Sequence, residues 1–105
     1  MKPSRIDELR RYLKTDPCDS FSHYAIALEY KAMGKISDAI HNLEEVLAID
    51  PNYLPAYQQL GSIFVDIGRK DDALKILESG IRIAKSIGDA HTTQEMQEIV
   101  DELET

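Results

Sequence analysis

The chain has no tryptophan, one cysteine, four prolines and five glycines among its 105 residues. Each scarcity excludes something. Cys18 has no partner in the sequence, so no intramolecular disulfide framework exists and a reducing cytoplasm is the expected location. The charged start, Met1-Lys2-Pro3-Ser4-Arg5, lacks the apolar core of a signal peptide, which points the same way. No apolar run approaches the roughly 20 residues of a membrane-spanning helix, so no membrane partner is expected. Lys and Arg number 12 against 19 Asp and Glu, a net charge of −7, and a nucleic-acid backbone calls for the opposite sign.

Chemistry is also sparse. Glycines 61, 68, 80 and 88 are dispersed rather than gathered into a phosphate-binding loop. His23, His41 and His91 fall on three separate segments with no motif joining them. His41 with Glu44 or Glu45 has the spacing of a two-ligand metal half-site, but such spacing arises readily in a charged helix. Cys18 has no histidine near it in sequence to lower its pKa. The expectation is a protein that is not an enzyme, with no catalytic residues, cofactor or metal.

What the sequence does contain is a repeat. Asp16-Pro17 returns as Asp50-Pro51, and the same 34-residue step aligns Ile6 with Ile40 and Leu74, Leu9 with Leu43 and Leu77, and Leu13 with Leu47 and Ile81. It also aligns Gly34 with Gly68, Asp38-Ala39 with Asp72-Ala73, and Ile49 with Ile83. A fixed step of this size marks a helical array in which each unit covers its neighbour's apolar face.

Six helices fit the punctuation, and no strand is needed. The first spans about Ser4 to Lys14, with Ile6, Leu9 and Leu13 on one stripe. The second starts at Asp19 or Ser20, either of them a good N-cap, and ends at Gly34, suited to a left-handed residue after a helix. The third runs from around Ser37 to Asp50-Pro51. The fourth opens with Pro55, whose missing N–H has no helical partner in a first turn, and stops at Gly68. The fifth runs from about Asp71 to Ile87, and the sixth from about Asp89 to Glu104 with Met96, Ile99, Val100 and Leu103 along one stripe. Short loops make successive helices antiparallel neighbours. Ala27 and Gly61 share one repeat position and Ala39 and Ala73 another, where small side chains let helices approach.

These residues resemble the tetratricopeptide repeat. Its pattern of an aromatic, Leu-Gly, Tyr, Ala, an aromatic or Leu, and Pro reads here as His23, Ile26-Ala27, Tyr30, Ala39, Leu43 and Pro51. The second copy reads Tyr57, Leu60-Gly61, Phe64, Ala73 and Leu77, with Lys85 in the place of Pro. His23 departs from the family's large aromatic, and Val46 stands where a small residue is preferred. The resemblance is to a small stand-alone protein of bacterial type. It implies an all-α fold of antiparallel helix pairs stacked as a superhelix, as one domain over 1–105. Within it, 4–17 is a half-repeat helix, 20–53 and 54–87 are repeats, and 89–104 is a capping helix.

The function implied by the resemblance is non-catalytic binding of a peptide or helix of a partner protein in a concave groove. The groove positions carry over to Phe21, Tyr24, Leu28, Lys31 and Ala32 in the first repeat. In the second they carry over to Pro55, Gln58, Ser62, Val65 and Asp66. Family members that grip a chaperone's terminal carboxylate use Lys and Asn, whereas the matching Tyr24, Leu28 and Gln59 bring no positive charge. Two alternatives stand beside this reading. The C-terminal helix can fold over Phe21, Tyr24 and Leu28. Or the protein can self-assemble as a homo-oligomer through its ends. Lys2, Arg5, Arg10, Arg11 and Lys14 make the first fourteen residues basic, while residues 89–105 hold six acids and no Lys or Arg.

Overall fold

The computed structural model describes residues 4–105. Lys2, one of the basic residues of the first segment, lies outside them. All six expected helices are present, and no strand occurs among the described residues. They are α1 (Arg5–Thr15), α2 (Ser20–Ala32), α3 (Ile36–Ile49), α4 (Leu54–Asp66), α5 (Lys70–Ser86) and α6 (Ala90–Leu103). The chain divides into two compact units, one ending at Asp50 and carrying α1–α3, the other beginning at Pro51 and carrying α4–α6.

Local chemistry sets the helix ends. Ser4 caps α1 by accepting the backbone N–H of Asp7, and Asp19 caps α2 by accepting that of Ser22, each at 3.1 Å. Ser22 is buried, and its hydroxyl is satisfied by the same Asp19 carboxylate. Glycines 34, 68 and 88 all stand at φ +77, where a Cβ is strained. Each closes a Schellman turn. Lys35 N–H donates to the Tyr30 carbonyl at 2.9 Å, Arg69 N–H to Phe64 at 2.8 Å, and Asp89 N–H to Ala84 at 2.9 Å.

These turns explain two small differences from the sequence reading. α3 begins at Ile36 rather than Ser37, and α5 at Lys70 rather than Asp71. Neither helix has a side-chain cap, since Lys35 and Arg69 occupy the cap positions without such a bond. The turn geometry itself launches the next helix. Arg69 adds a 2.7 Å contact to Asp72 and places its guanidinium 4.8 Å from the centre of the Phe64 ring. Exposed pairs of this kind contribute about 0–1 kcal/mol each.

In the first unit, Ile6 and Leu9 of α1 meet Ile26 of α2, with Leu13, Ala25 and Tyr30 packed around them. Arg10 secures the same junction by donating to the Tyr30 hydroxyl oxygen and lying 5.9 Å from the centre of its ring. Ala27 of α2 and Ala39, Leu43 and Val46 of α3 are also buried. Val46 therefore occupies its position without exposure, although the family pattern prefers a smaller residue there.

In the second unit, α4 buries Tyr57, Leu60, Ile63 and Phe64, α5 buries Ala73, Leu77 and Ile81, and α6 buries Met96 and Val100. Full burial of side chains such as Leu77 or Ile63 stabilises by about 1.5–3 kcal/mol each. His23 and Tyr57 are equivalent by the 34-residue step and do the same local work. Tyr57 Oη donates to the Pro51 carbonyl at 2.7 Å, and His23 Nε2 lies 2.9 Å from the Pro17 carbonyl, to which its N–H donates. The histidine keeps the turn-bracing bond that an aromatic hydroxyl makes in the other repeat.

Candidate functional site

α2 carries the first set of expected binding residues. Its core side is fixed by Ser22, Ile26 and Ala27, which are all buried. A helix turns 100° per residue, so Phe21, Tyr24, Leu28 and Lys31 lie along the opposite side. Phe21 is 58% exposed, an uncommon state for a phenylalanine in a first helical turn. Tyr24, Leu28 and Lys31 are half-buried, and Ala32 is exposed at the helix end. The face is thus apolar and aromatic, with one cation at its C-terminal end.

α4 carries the second set, in its own unit. Its core side is Tyr57, Leu60, Gly61 and Phe64, and its other side is Pro55, Gln58, Ser62, Val65 and Asp66. Pro55 and Asp66 are exposed, Gln58 and Ser62 half-buried, and Val65 is 37% exposed. This face is mainly polar. The structure therefore gathers Phe21, Tyr24, Leu28 and Lys31 on one helix face and the remaining five on another. Gln59, which stands beside the α4 set, is half-buried.

One functional candidate was missed from sequence. Tyr12 of α1 is 54% exposed, and together with Phe21 it walls an open hollow of about 420 Å³ between α1 and α2. Leu9 and Ser22 form part of its lining, and Arg5, Glu8 and Asp19 surround it with charges of both signs. Tyr12 lies off the Ile6–Leu9–Leu13 stripe, so hydrophobic periodicity passes over it. Exposed apolar residues also occur at the C-caps, where Met33, Ile67 and Ile87 each precede a turn glycine.

The electrostatics are plain. α6 carries Glu95, Glu98, Asp101 and Glu102 and no lysine or arginine. Asp89, its N-cap, is held below the usual aspartate pKa, first by the Thr92 backbone N–H at 3.0 Å and then by the Thr92 hydroxyl at 2.8 Å. That shift is explained by capping and calls for no ligand. His91 sits 3.1 Å from Glu95 on an exposed turn. Among the described residues no cluster of three or more His, Cys, Asp or Glu side chains is arranged to hold a metal ion. No helix among them is long and apolar enough to cross a membrane.

Comparison with known proteins agrees with this architecture. A family model described as tetratricopeptide repeat matches residues 30–91. The structure is similar to that of a tetratricopeptide repeat domain protein from Salinibacter ruber, 32% identical, covering 85% of this chain and 90% of that one with a TM-score of 0.79. It is also similar to a protein from Bordetella parapertussis, at 24% identity, 97% and 89% coverage and a TM-score of 0.81. The TPR2B domain of yeast Sti1, solved in a complex with pHsp70, shares the fold at 15% identity, with 94% and 79% coverage and a TM-score of 0.84. No curated protein matches the chain significantly. A 34-residue step, paired helices with Ala or Gly at their closest approach, and a family match across more than half the length agree: the chain belongs to the tetratricopeptide repeat family.

Proposed function

We propose that this protein is a non-catalytic interaction module that binds a peptide or helix of a partner protein, with the outward face of α2 as the anchoring surface. The observation that carries the reading is the face of α2. Phe21 is mostly exposed, and Tyr24 and Leu28 follow it along the same side of the helix. Aromatic side chains lose little conformational freedom when they dock and dominate the energetics of interfaces. Packing within the unit does not require them there, because Ser22, Ile26 and Ala27 already form the core side of α2. The Sti1 domain was solved with pHsp70, which supports peptide recognition as a use of this fold. The partner here differs in chemistry. Tyr24, Leu28 and Gln59 offer no cation where chaperone-binding relatives grip a carboxylate, so a terminal carboxylate is not the anchor.

The test is capture of a partner from lysate by the parent and by a Phe21→Ala/Leu28→Ala variant, with circular dichroism as a control for folding. The variant should keep its helicity and lose the partner, because central aromatic and aliphatic anchors typically cost about 2 kcal/mol or more on truncation. Equal capture by both proteins would move the binding site away from α2.

A further inference from the structure

α1 presents a second face beside its core stripe. Arg5, Glu8, Leu9 and Tyr12 recur at three- and four-residue intervals, so they share one side of the helix. That side meets the start of α2, where Asp19, Phe21 and Ser22 complete the open hollow of about 420 Å³. Leu9 and Ser22 are the buried members of its lining, whereas Tyr12 and Phe21 are each more than half exposed. Packing within the unit calls for neither ring, since Ile6, Leu9 and Ile26 already join the two helices.

The charges around these rings set the sign of an occupant. Glu8 stands one turn from Tyr12 on α1 and has no ion-pair partner among the described residues. Asp19 answers the N-terminus of α2, but both of its bonds to Ser22 use Oδ2, which leaves Oδ1 without a partner among the described residues. Arg5 is the one cation of the lining, and its backbone lies about 10 Å along the helix axis from that of Tyr12. Arg11 lines a separate hollow on the other side of Tyr12, with Glu8 and Thr15. The chain already seats guanidinium groups on this kind of surface. Arg69 lies 4.8 Å from the centre of the Phe64 ring and 2.7 Å from the Asp72 carboxylate. Arg10 lies 5.9 Å from the centre of the Tyr30 ring and donates to its hydroxyl oxygen. Tyr12, Phe21 and Glu8 offer the same combination of ring and carboxylate, and no arginine of this chain is seated on either ring.

We infer that this hollow takes an arginine side chain of the partner, its guanidinium lying against the Tyr12 and Phe21 rings and pairing with Glu8. A guanidinium suits the site better than an ammonium does. It is planar, stacks on ring faces, sheds water more readily and matches a carboxylate through two N–H groups. A neutral apolar side chain would leave Glu8 without a partner, and an anion would meet it at close range. Arg5 stands three residues before Glu8 and competes for the same carboxylate, so its removal favours the incoming cation. The inference rests on the reading of α2 as the anchoring surface, with which it shares Phe21. It adds Tyr12 and Glu8 of α1 and the chemistry of one partner residue.

Titration of the isotope-labelled full chain with the peptide acetyl-Gly-Arg-Gly-amide, followed by NMR, tests it. Peptides with Lys, Leu or Glu in the central place serve as comparators. The arginine peptide should give saturable shifts at Tyr12 and Phe21 and bind about threefold or more tightly than the leucine and glutamate peptides. Glu8→Gln and Tyr12→Ala should each weaken it about three- to tenfold, and Arg5→Gln should tighten it about two- to threefold. All three residues are exposed, so the substitutions leave the core intact. A gain in affinity at Arg5 is not the mark of a merely structural residue. The inference falls if the arginine peptide gives no saturable shift at tens of millimolar, or if the lysine, leucine or glutamate peptide binds as tightly. It falls also if Arg5→Gln weakens binding. Capture from lysate separates it from the broader reading. A Tyr12→Ala/Glu8→Gln variant that retains a partner lost by Phe21→Ala/Leu28→Ala overturns the arginine site and leaves the α2 face standing, whereas retention by both variants overturns both.

Discussion

Gly80→Ala is the most searching test of how the second unit is packed. Gly80 lies inside α5 and is buried. A Cβ there would stand 2.8 Å from Tyr57 Cβ of α4 and 2.8 Å from Met96 Sδ of α6, closer than any real contact. The Met96 sulfur can swing aside, but Tyr57 Cβ is attached directly to the α4 backbone and moves only if the helix moves. Overpacking costs about 1–3 kcal/mol, and a clash with a Cβ fixed to a helix backbone falls in the upper part of that range, about 2–3 kcal/mol. Against it stands the better helix propensity of alanine, worth about 1 kcal/mol. The net expectation is a loss of about 1–2 kcal/mol, which in a domain of this size lowers the melting temperature by about 4–8 °C for each kcal/mol. Thermal unfolding followed by circular dichroism reads this directly. A double-mutant cycle with Met96→Ala separates the two clashes, since removing the sulfur should make Gly80→Ala less costly while the Tyr57 clash persists. An unchanged or raised melting temperature for Gly80→Ala would refute the close approach of α4 and α5 at this point.

Two further predictions concern α6. Met96 is fully buried, so Met96→Ala should lose about 2–5 kcal/mol in urea unfolding, a large share of a total that is typically about 5–15 kcal/mol; a loss under about 1 kcal/mol would mean that α6 contributes little to the unit. Asp89 supplies a pH signature: its folded pKa is depressed by the Thr92 bonds, so the cap's stabilisation is fully present above the ordinary aspartate value of 3.8 and is lost as pH falls through the lower folded value. The acid slope of stability between about pH 5 and pH 2.5 should therefore flatten in Asp89→Asn, which keeps the cap acceptor but cannot titrate, and an identical slope in variant and parent would remove the cap from the account.

The helices were readable because their ends are written in side chains with few alternatives. Asp19 caps α2 as expected, Ser4 stands as the cap of α1 rather than its first residue, and glycines 34, 68 and 88 take the one backbone conformation that other residues resist. The starts of α3 and α5 fall one residue before the Ser37 and Asp71 at which the sequence places them. The six-to-one hydrogen bond of the preceding turn sets those starts, and it involves no side chain. The close-packing positions Ala27, Gly61, Ala39 and Ala73 were legible from the repeat alone. The crowding at Gly80 was not, because a single glycine in a helix does not say which side chains press on it.

The repeat also explains why the binding face was the least legible part. The 34-residue step relates Phe21 to Pro55, Tyr24 to Gln58, Leu28 to Ser62 and Lys31 to Val65. Each pair occupies equivalent positions on α2 and α4, yet none matches in chemistry. The same step relates Ala27 to Gly61, Ala39 to Ala73 and Leu43 to Leu77, where side chains of like size and polarity recur. The difference has a physical origin. Inward positions of both repeats solve one packing problem, so steric limits hold them to the same answer. Outward positions are half-buried or exposed, where packing constrains side chains less, and periodicity therefore carries little information about them. The departures at these positions are thus free to follow the partner rather than the fold. α2 has taken the aromatic and aliphatic set and α4 the polar one, and on the proposed reading it is the first repeat that supplies the anchoring contacts.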